Sequence, residues 1–239
     1  MGLLGSIRRD IKAARQRDPA AMSNLEVIFT YPGFHARQMH RFAHTLHQAG
    51  FRLPARLVSH LNRWATGIEI HPGATIGEGL FIDHGMGVVI GETAIIGDNC
   101  HLLQGVTLGG TSTRRAKRHP TLVKNVTVGA GAKVIGDVTI GENAKIGAGS
   151  VVVTNVPPNA TVVGVPGHIV AYTNPDDDTV LRLPDPEWDL IEELEGRLAE
   201  MEGRLARLEG APPDEEPASP RPGRRRASSA HKRTTKEPK

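Results

Sequence analysis

From Ile70 to Val152 the chain sets an aliphatic residue on a six-residue grid, and this limits its possible folds more than any other feature. In register stand Ile70, Ile76 and Ile82, then Ile90, Ile96, Leu102 and Leu108, then Leu122, Val128, Val134, Ile140, Ile146 and Val152. Two residues are added after Ile82, and a longer break follows Leu108. The next position is often glycine, as at Gly77, Gly91, Gly97, Gly109, Gly129, Gly141 and Gly147. Four positions after the aliphatic sits a small or modest apolar residue: Ala74, Ala94, Cys100, Val106, Val126, Ala132, Val138, Ala144 and Ser150. A period of six is neither the 3.6 of a helix nor the alternation of a half-buried strand. It is the signature of a parallel β-helix, in which short repeats stack as coils around one continuous core. The aliphatic is expected to point into a narrow shaft, with the glycine easing the corner and the small residue packing beside it.

The 239 residues allow one substantial domain plus appendages. Twenty-seven glycines and 4% aromatic residues suit tight corners better than a layered globule. No apolar run approaches about 18 residues, so no membrane span is expected. Arg8, Arg9, Asp10 and Lys12 stand where a signal peptide needs its apolar stretch, which favours a cytoplasmic protein. A single cysteine, Cys100, fits a reducing compartment, and its inward register makes it core rather than nucleophile. The net charge of +3 misleads: from Ala211 onward there are eight basic and four acidic residues, and the remainder carries 21 and 22. The basic character therefore belongs to a tail.

Residues 1–66 read as an α-helical N-terminal region. Leu25, Ile28 and Phe29 lie at helical spacing within Ser23 to Phe29, with Asp18-Pro19 as the helix start and Tyr31-Pro32-Gly33 as a turn. A second helix is expected from about Phe34 to Ala49, with Met39, Phe42, Ala43 and Leu46 on its inner face and Gly50 ending it. Its histidines (His35, His40, His44, His47) are read as packing at a margin rather than binding a metal, because no cysteine or acid accompanies them. A third helix, about Pro54 to Thr66, leads into the β-helix of residues 67–170. The interval from Leu108 to Leu122 equals two repeats plus two residues, and the polar, cationic excursion 109–121 is where function is sought. A linker, 171–186, follows. Ile191, Leu194, Leu198, Met201, Leu205 and Leu208 then alternate at spacings of three and four, giving a short coiled-coil-like amphipathic helix over 187–209. The stretch 210–239, rich in Pro, Ser, Arg and Lys, reads as a disordered basic tail that solubilises rather than binds nucleic acid.

Two departures from the grid carry histidine: Asp83-His84 before the first break, and Arg118-His119 closing the second. An imidazole beside a carboxylate suits general-base work near neutral pH, and neighbouring cations can hold an anionic group. Glu69 lies about one coil from His84 on the grid. Proton removal from a hydroxyl while an anionic partner is bound would use such a set.

The stretches that carry these residues are Ile68–Ala74, Phe81–Thr93, Gln104–Thr111, Lys117–Thr121, Gly129–Val134 and Val162–Gly167, with Arg17–Ala20 and Tyr31–Ala36 in the helical region. Together, from about Arg17 to Val170, they resemble the serine O-acetyltransferase family of hexapeptide-repeat acyltransferases. The resemblance implies a left-handed β-helix that trimerises, or forms a dimer of trimers, with sites at the subunit interfaces. It implies acetyl transfer from acetyl-CoA to the hydroxyl of L-serine on the way to cysteine, with no metal. By the same resemblance His84 is the general base and Glu69 its orienting carboxylate, standing where the family has aspartate. Asp18 and Asp83 would hold the substrate ammonium, Arg118 and His119 its carboxylate, and Gly110, Ala130 and Lys145 would line the CoA path. Family members that dock into cysteine synthase use a C-terminal isoleucine; this chain ends in Lys239, so docking by that route is not expected.

Two other classes compete. A trimeric metal hydratase would draw zinc ligands from His71, His84, His101 and His119 across subunits, but leaves the Arg118-His119 loop unexplained. A non-catalytic scaffold would need residues 187–239 for its function, whereas an acetyltransferase would keep its activity without them.

Overall fold

The computed structural model describes residues 2–174, 176–177, 179–183 and 186–208. Four helices open the chain: α1 (Leu3–Arg17), α2 (Asn24–Thr30), α3 (Pro32–Gln48) and α4 (Arg52–Thr66). Asp18-Pro19 does not start a helix. Asp18 is the C-cap of α1, as expected for a residue before proline, which is disfavoured in helical backbone. The start lies at Ser23, whose hydroxyl accepts from the Glu26 N–H while the Glu26 carboxylate accepts from the Ser23 N–H.

The inner face of α3 also differs from expectation. Phe42 is exposed, whereas Gly33, Ala36, Arg37, His40 and Ala43 are buried. Small residues face inward because α3 runs hard against the β-helix: a Cβ on Gly33 would stand 2.1 Å from the Ile82 carbonyl oxygen. Guanidinium groups fasten the helices to the coil edges. Arg37 donates to the carbonyls of Ile76 and Gly77 at 3.0 and 2.9 Å, and Arg17 to those of Cys100 and Asn99. His40 is buried, and desolvation with Arg37 nearby pushes its pKa down to about 3, which keeps it a neutral packing group.

The β-helix follows. Its first coil is β1 (Glu69–Ile70), β2 (Thr75–Ile76) and β3 (Phe81–Ile82); its second is β4 (Val89–Ile90), β5 (Ile95–Ile96) and β6 (His101–Leu102). The third is β7 (Thr107–Gly109), β8 (Thr121–Leu122) and β9 (Thr127–Val128), and the fourth β10 (Lys133–Ile135), β11 (Thr139–Ile140) and β12 (Lys145–Ile146). β13 (Val151–Val152) and β14 (Ala160–Val163) belong to the last. Corresponding strands stack in parallel into three sides: β1-β4-β7-β10-β13, β2-β5-β8-β11 and β3-β6-β9-β12-β14. Of the thirteen grid aliphatics all but Ile76 are at most 2% exposed, and all nine small positions are buried, so the grid is the core. Each such aliphatic contributes about 1.5–3 kcal/mol relative to an exposed one, which is why the period had to be kept.

The structure recounts one break. β7 and β8 occupy adjacent sides, so the interval after Leu108 is one repeat plus an eight-residue excursion, not two repeats. With no aliphatic to bury, the inserted residues cannot form a side. The expected linker also changes: β15 (His168–Thr173) and β16 (Val180–Arg182) add antiparallel strands to the third side. One corner carries a column of left-handed residues, Gly79, Asn99, Asn125, Asn143 and Asn159. Asn125 donates to Asn143 at 3.0 Å and Asn143 to Asn159 at 2.9 Å, so the side chains form a ladder up that edge.

Residues Met1–Asp185 and Pro186–Lys239 form two separate units. In the second, α5 (Pro186–Leu208) is a single helix whose Ile191, Leu194, Leu198, Met201 and Leu205 are all exposed. The expected basic tail lies outside the described residues. Among those described, no helix is long and apolar enough to cross a membrane.

Candidate active site

Asp83 and His84 follow β3 at the corner between the third and first sides. The two added residues make a tight loop there, with His84 in left-handed backbone (φ 57°) and Gly85 and Gly87 likewise. Such a conformation is uncommon outside glycine, though histidine tolerates it better than most residues. It turns the imidazole outward: the side chain is 75% exposed, with its Nε2 3.8 Å from Asp83 Oδ1. Beneath this loop the Glu69 N–H donates to the Val88 carbonyl, so Glu69 does lie one coil away. Its carboxylate Oε2 pairs with Arg63 of α4 at 2.9 Å.

Asp18 reaches the same corner from the helical region. Tyr31 donates to Asp18 Oδ2 at 2.5 Å and the Ala20 N–H to Oδ1 at 2.8 Å. These bonds hold the Asp18 carboxyl below its usual range, with a smaller contribution from His84. Asp18, Asp83 and His84 thus form one acidic and imidazole group.

Arg118 and His119 stand elsewhere, at the corner between the first and second sides. The Thr93 hydroxyl oxygen accepts from both of their backbone N–H groups, at 3.0 and 3.1 Å, and so fixes the end of the excursion. Glu92 grips the Arg118 guanidinium, and this bond lowers the Glu92 pKa. The His119 ring fills a slot between two glycines: a Cβ on Gly91 would lie 2.0 Å from its Cδ2, and one on Gly110 3.1 Å from its Nε2. Burial, with Arg118 and Lys117 beside it, lowers the His119 pKa and favours the neutral ring. The Thr93 N–H donates to Nδ1 at 3.2 Å, which assigns the ring proton to Nε2 and makes that atom a donor.

Gly91→Ala is accordingly expected to displace the imidazole from its slot. Losing one hydrogen bond to a charged group costs about 1.5–3 kcal/mol; a matching rise in the KM for an anionic substrate, with little change in kcat, is the measurement to make.

Among the described residues no hydrogen bond or ion pair joins the two groups. One chain therefore carries these two groups on two different edges. Ala130 lies at the His84 corner beside Gly131, where an added Cβ would meet nothing within 4 Å. Lys145 is exposed on β12 and Gly110 opens the excursion. Gly131 and Lys145 thus stand on open surface, whereas Gly110 is packed against Arg118 and His119.

Of the histidines the metal-ligand alternative would use, His71 has its Nδ1 engaged by the Gly73 N–H at 3.0 Å, and the His101 ring stacks on Phe81 with centroids 4.9 Å apart. Among the described residues no group of three or more His, Cys, Asp or Glu is placed to hold a metal. Sequence reasoning had drawn no role for Tyr31, Gly91, Glu92 or Thr93. Gly91-Glu92-Thr93 is a corner of the coil stacked beneath the excursion, and that adjacency was the available signal.

A parallel β-helix of six-residue repeats with polar groups at its corners is the architecture the sequence resemblance to hexapeptide-repeat transferases implies. In agreement, a family model described as bacterial transferase hexapeptide (six repeats) matches residues 119–154, and one described as serine acetyltransferase, N-terminal, matches residues 2–39. The serine acetyltransferase of Synechococcus elongatus is 52% identical over 195 residues, spanning 81% of this chain and 80% of the relative. A crystal structure of serine acetyltransferase in complex with coenzyme A from Brucella abortus is 43% identical, with a TM-score of 0.70, over 72% of this chain and 68% of that one. A Neisseria gonorrhoeae serine acetyltransferase in complex with serine is 45% identical, with a TM-score of 0.68, over 70% and 69%. The chain belongs to the serine acetyltransferase family.

Proposed function

We propose that this chain transfers the acetyl group of acetyl-CoA to the hydroxyl of L-serine with His84 as general base, in sites completed between copies of the chain. The split of the half-sites carries the reading: Asp18, Asp83 and His84 occupy one edge and Arg118 and His119 another, so an amino acid needs two chains to be held at both ends. A cyclic trimer of β-helices, edge against side, supplies that meeting of corners. We infer left-handed coils from the family resemblance, with residues 67–170 as the acyltransferase domain and 1–66 as its helical companion.

In this reading Asp18 and Asp83 pair with the ammonium of serine. Tyr31 keeps Asp18 ionised and aimed. Arg118, steadied by Glu92, and the Nε2–H of His119 bind the carboxylate from the neighbouring copy. His84 accepts the hydroxyl proton as the serine oxygen attacks the thioester carbonyl. It returns that proton to the departing thiolate, so one imidazole serves both steps. Glu69 orients the ring from the coil below, sharing its carboxylate with Arg63. Gly110, Ala130 and Lys145 line the way for coenzyme A, the lysine meeting a phosphate.

The test is release of thiol from acetyl-CoA with L-serine against other hydroxyl acceptors. Serine-dependent release supports the proposal. Release with equal efficiency to an acceptor lacking either the ammonium or the carboxylate would sink the assigned recognition.

A further inference from the structure

The helix α5 carries a repeat that the proposed chemistry does not use. Leu194-Glu-Gly-Arg-Leu-Ala recurs seven residues later as Met201-Glu-Gly-Arg-Leu-Ala. This register sets Ile191, Leu198 and Leu205 at one seam position and Leu194 and Met201 at the other, all five exposed. The residues beside the seam are sorted by charge. Glu195 and Glu202 flank it on one side, with Glu209 continuing the row in sequence; Arg197 and Arg204 flank it on the other. Gly196 and Gly203 fall on the face away from the seam, and a Cβ on Gly196 would meet nothing within 4 Å. Two interior glycines weaken the helix on its own, so it depends on having its apolar face covered.

We propose that α5 is an interaction surface for the same helix of other copies of this chain, paired in parallel and in register. The charges argue both identity and direction. In parallel pairing Arg197 faces Glu202 of the next helix, so the arginine row meets the glutamate row. Antiparallel pairing would bring arginine against arginine and glutamate against glutamate. An anionic membrane surface would be repelled by Glu193, Glu195, Glu200 and Glu202, where interfacial helices carry mostly lysine and arginine. Copies related by a three-fold axis share the component of the helix along that axis, so parallel pairing is compatible with the cyclic assembly proposed above.

Disulfide trapping in the full-length chain tests this. The native Cys100 gives a silent background, being fully buried, with burial pushing its thiol up to about 11. Ile191→Cys sits at one end of the seam. Parallel pairing brings two such cysteines within disulfide reach, whereas antiparallel pairing about Leu198 separates them by about 20 Å. Mild oxidation is expected to give about tenfold more cross-linked pair from Ile191→Cys than from Gly196→Cys on the outer face. Adding Arg197→Glu should reduce the yield, and adding Glu202→Arg as well should restore it. Equal yields at positions 191 and 196, no cross-link at 191, or indifference to charge reversal would each overturn the proposal. None of these readouts uses catalysis, so they report on the helix whatever reaction the β-helix performs.

Discussion

Replacing His84 by alanine is expected to lower kcat by about 10²–10⁴, the range for loss of a general base. The KM for serine should move little, because its charged ends are assigned to Asp18, Asp83, Arg118 and His119. The left-handed backbone of His84 complicates the alanine variant, since that conformation costs most residues about 1–2 kcal/mol. His84→Asn is the better companion: asparagine adopts left-handed backbone readily, as Asn99, Asn125 and Asn143 do in this chain, but it has no basic nitrogen. Both variants should lose turnover alike while differing in melting temperature, alanine being the less stable. Near-normal thiol release by His84→Asn would show that the proton is taken by another group.

The second expectation follows from the two corners. His84→Ala and Arg118→Ala chains, each nearly inactive alone, should regain activity when coexpressed or refolded together. In the proposed trimer, a mixed site works when the His84 corner comes from one type and the Arg118 corner from the other. Random assortment of equal amounts restores about a quarter of the sites, because each of two independent conditions is met half the time. Mixtures should therefore rise from the floor set by the single variants to about a quarter of the unmodified rate. If both half-sites of one chain served the same substrate, mixing would give only the average of two inactive proteins. Assaying before and after subunit exchange separates these outcomes.

The β-helix was legible in the sequence because its core is one residue wide and every repeat must bury the same kind of side chain. Ile90, Leu108 and Val134 announce it without any knowledge of the tertiary fold. The Asp83-His84 and Arg118-His119 groups were legible for the converse reason: they interrupt a pattern that otherwise tolerates few interruptions. Contacts between coils were much less so. Thr93 binding the backbone of Arg118 and His119, or Gly91 making room for an imidazole 28 positions away, depends on which coil lies on which. The inner face of α3 was misjudged because large apolar residues mark a face that merely needs covering. A helix pressed against backbone instead turns its smallest residues inward, as Gly33 does over Ile82. Nor did spacing reveal the link between Tyr31 and Asp18, since the two belong to different helical segments brought together only by the fold.

The asparagine ladder doubles as a record of where the chain has been allowed to lengthen. The left-handed column to which it belongs stands at one edge and counts completed turns of the coil: Gly79, Asn99, Asn125, Asn143 and Asn159. An undisturbed turn of three six-residue sides takes the eighteen residues that separate Asn125 from Asn143. The turn ending at Asn99 runs two over and holds Asp83-His84; the turn ending at Asn125 runs eight over and holds Arg118-His119. The final turn runs two short and holds neither group. In a solenoid of this kind the milestones between turns mark where the proposed site residues are inserted before any side chain is considered, and a whole extra turn could be spliced beyond Asn143 without moving either corner.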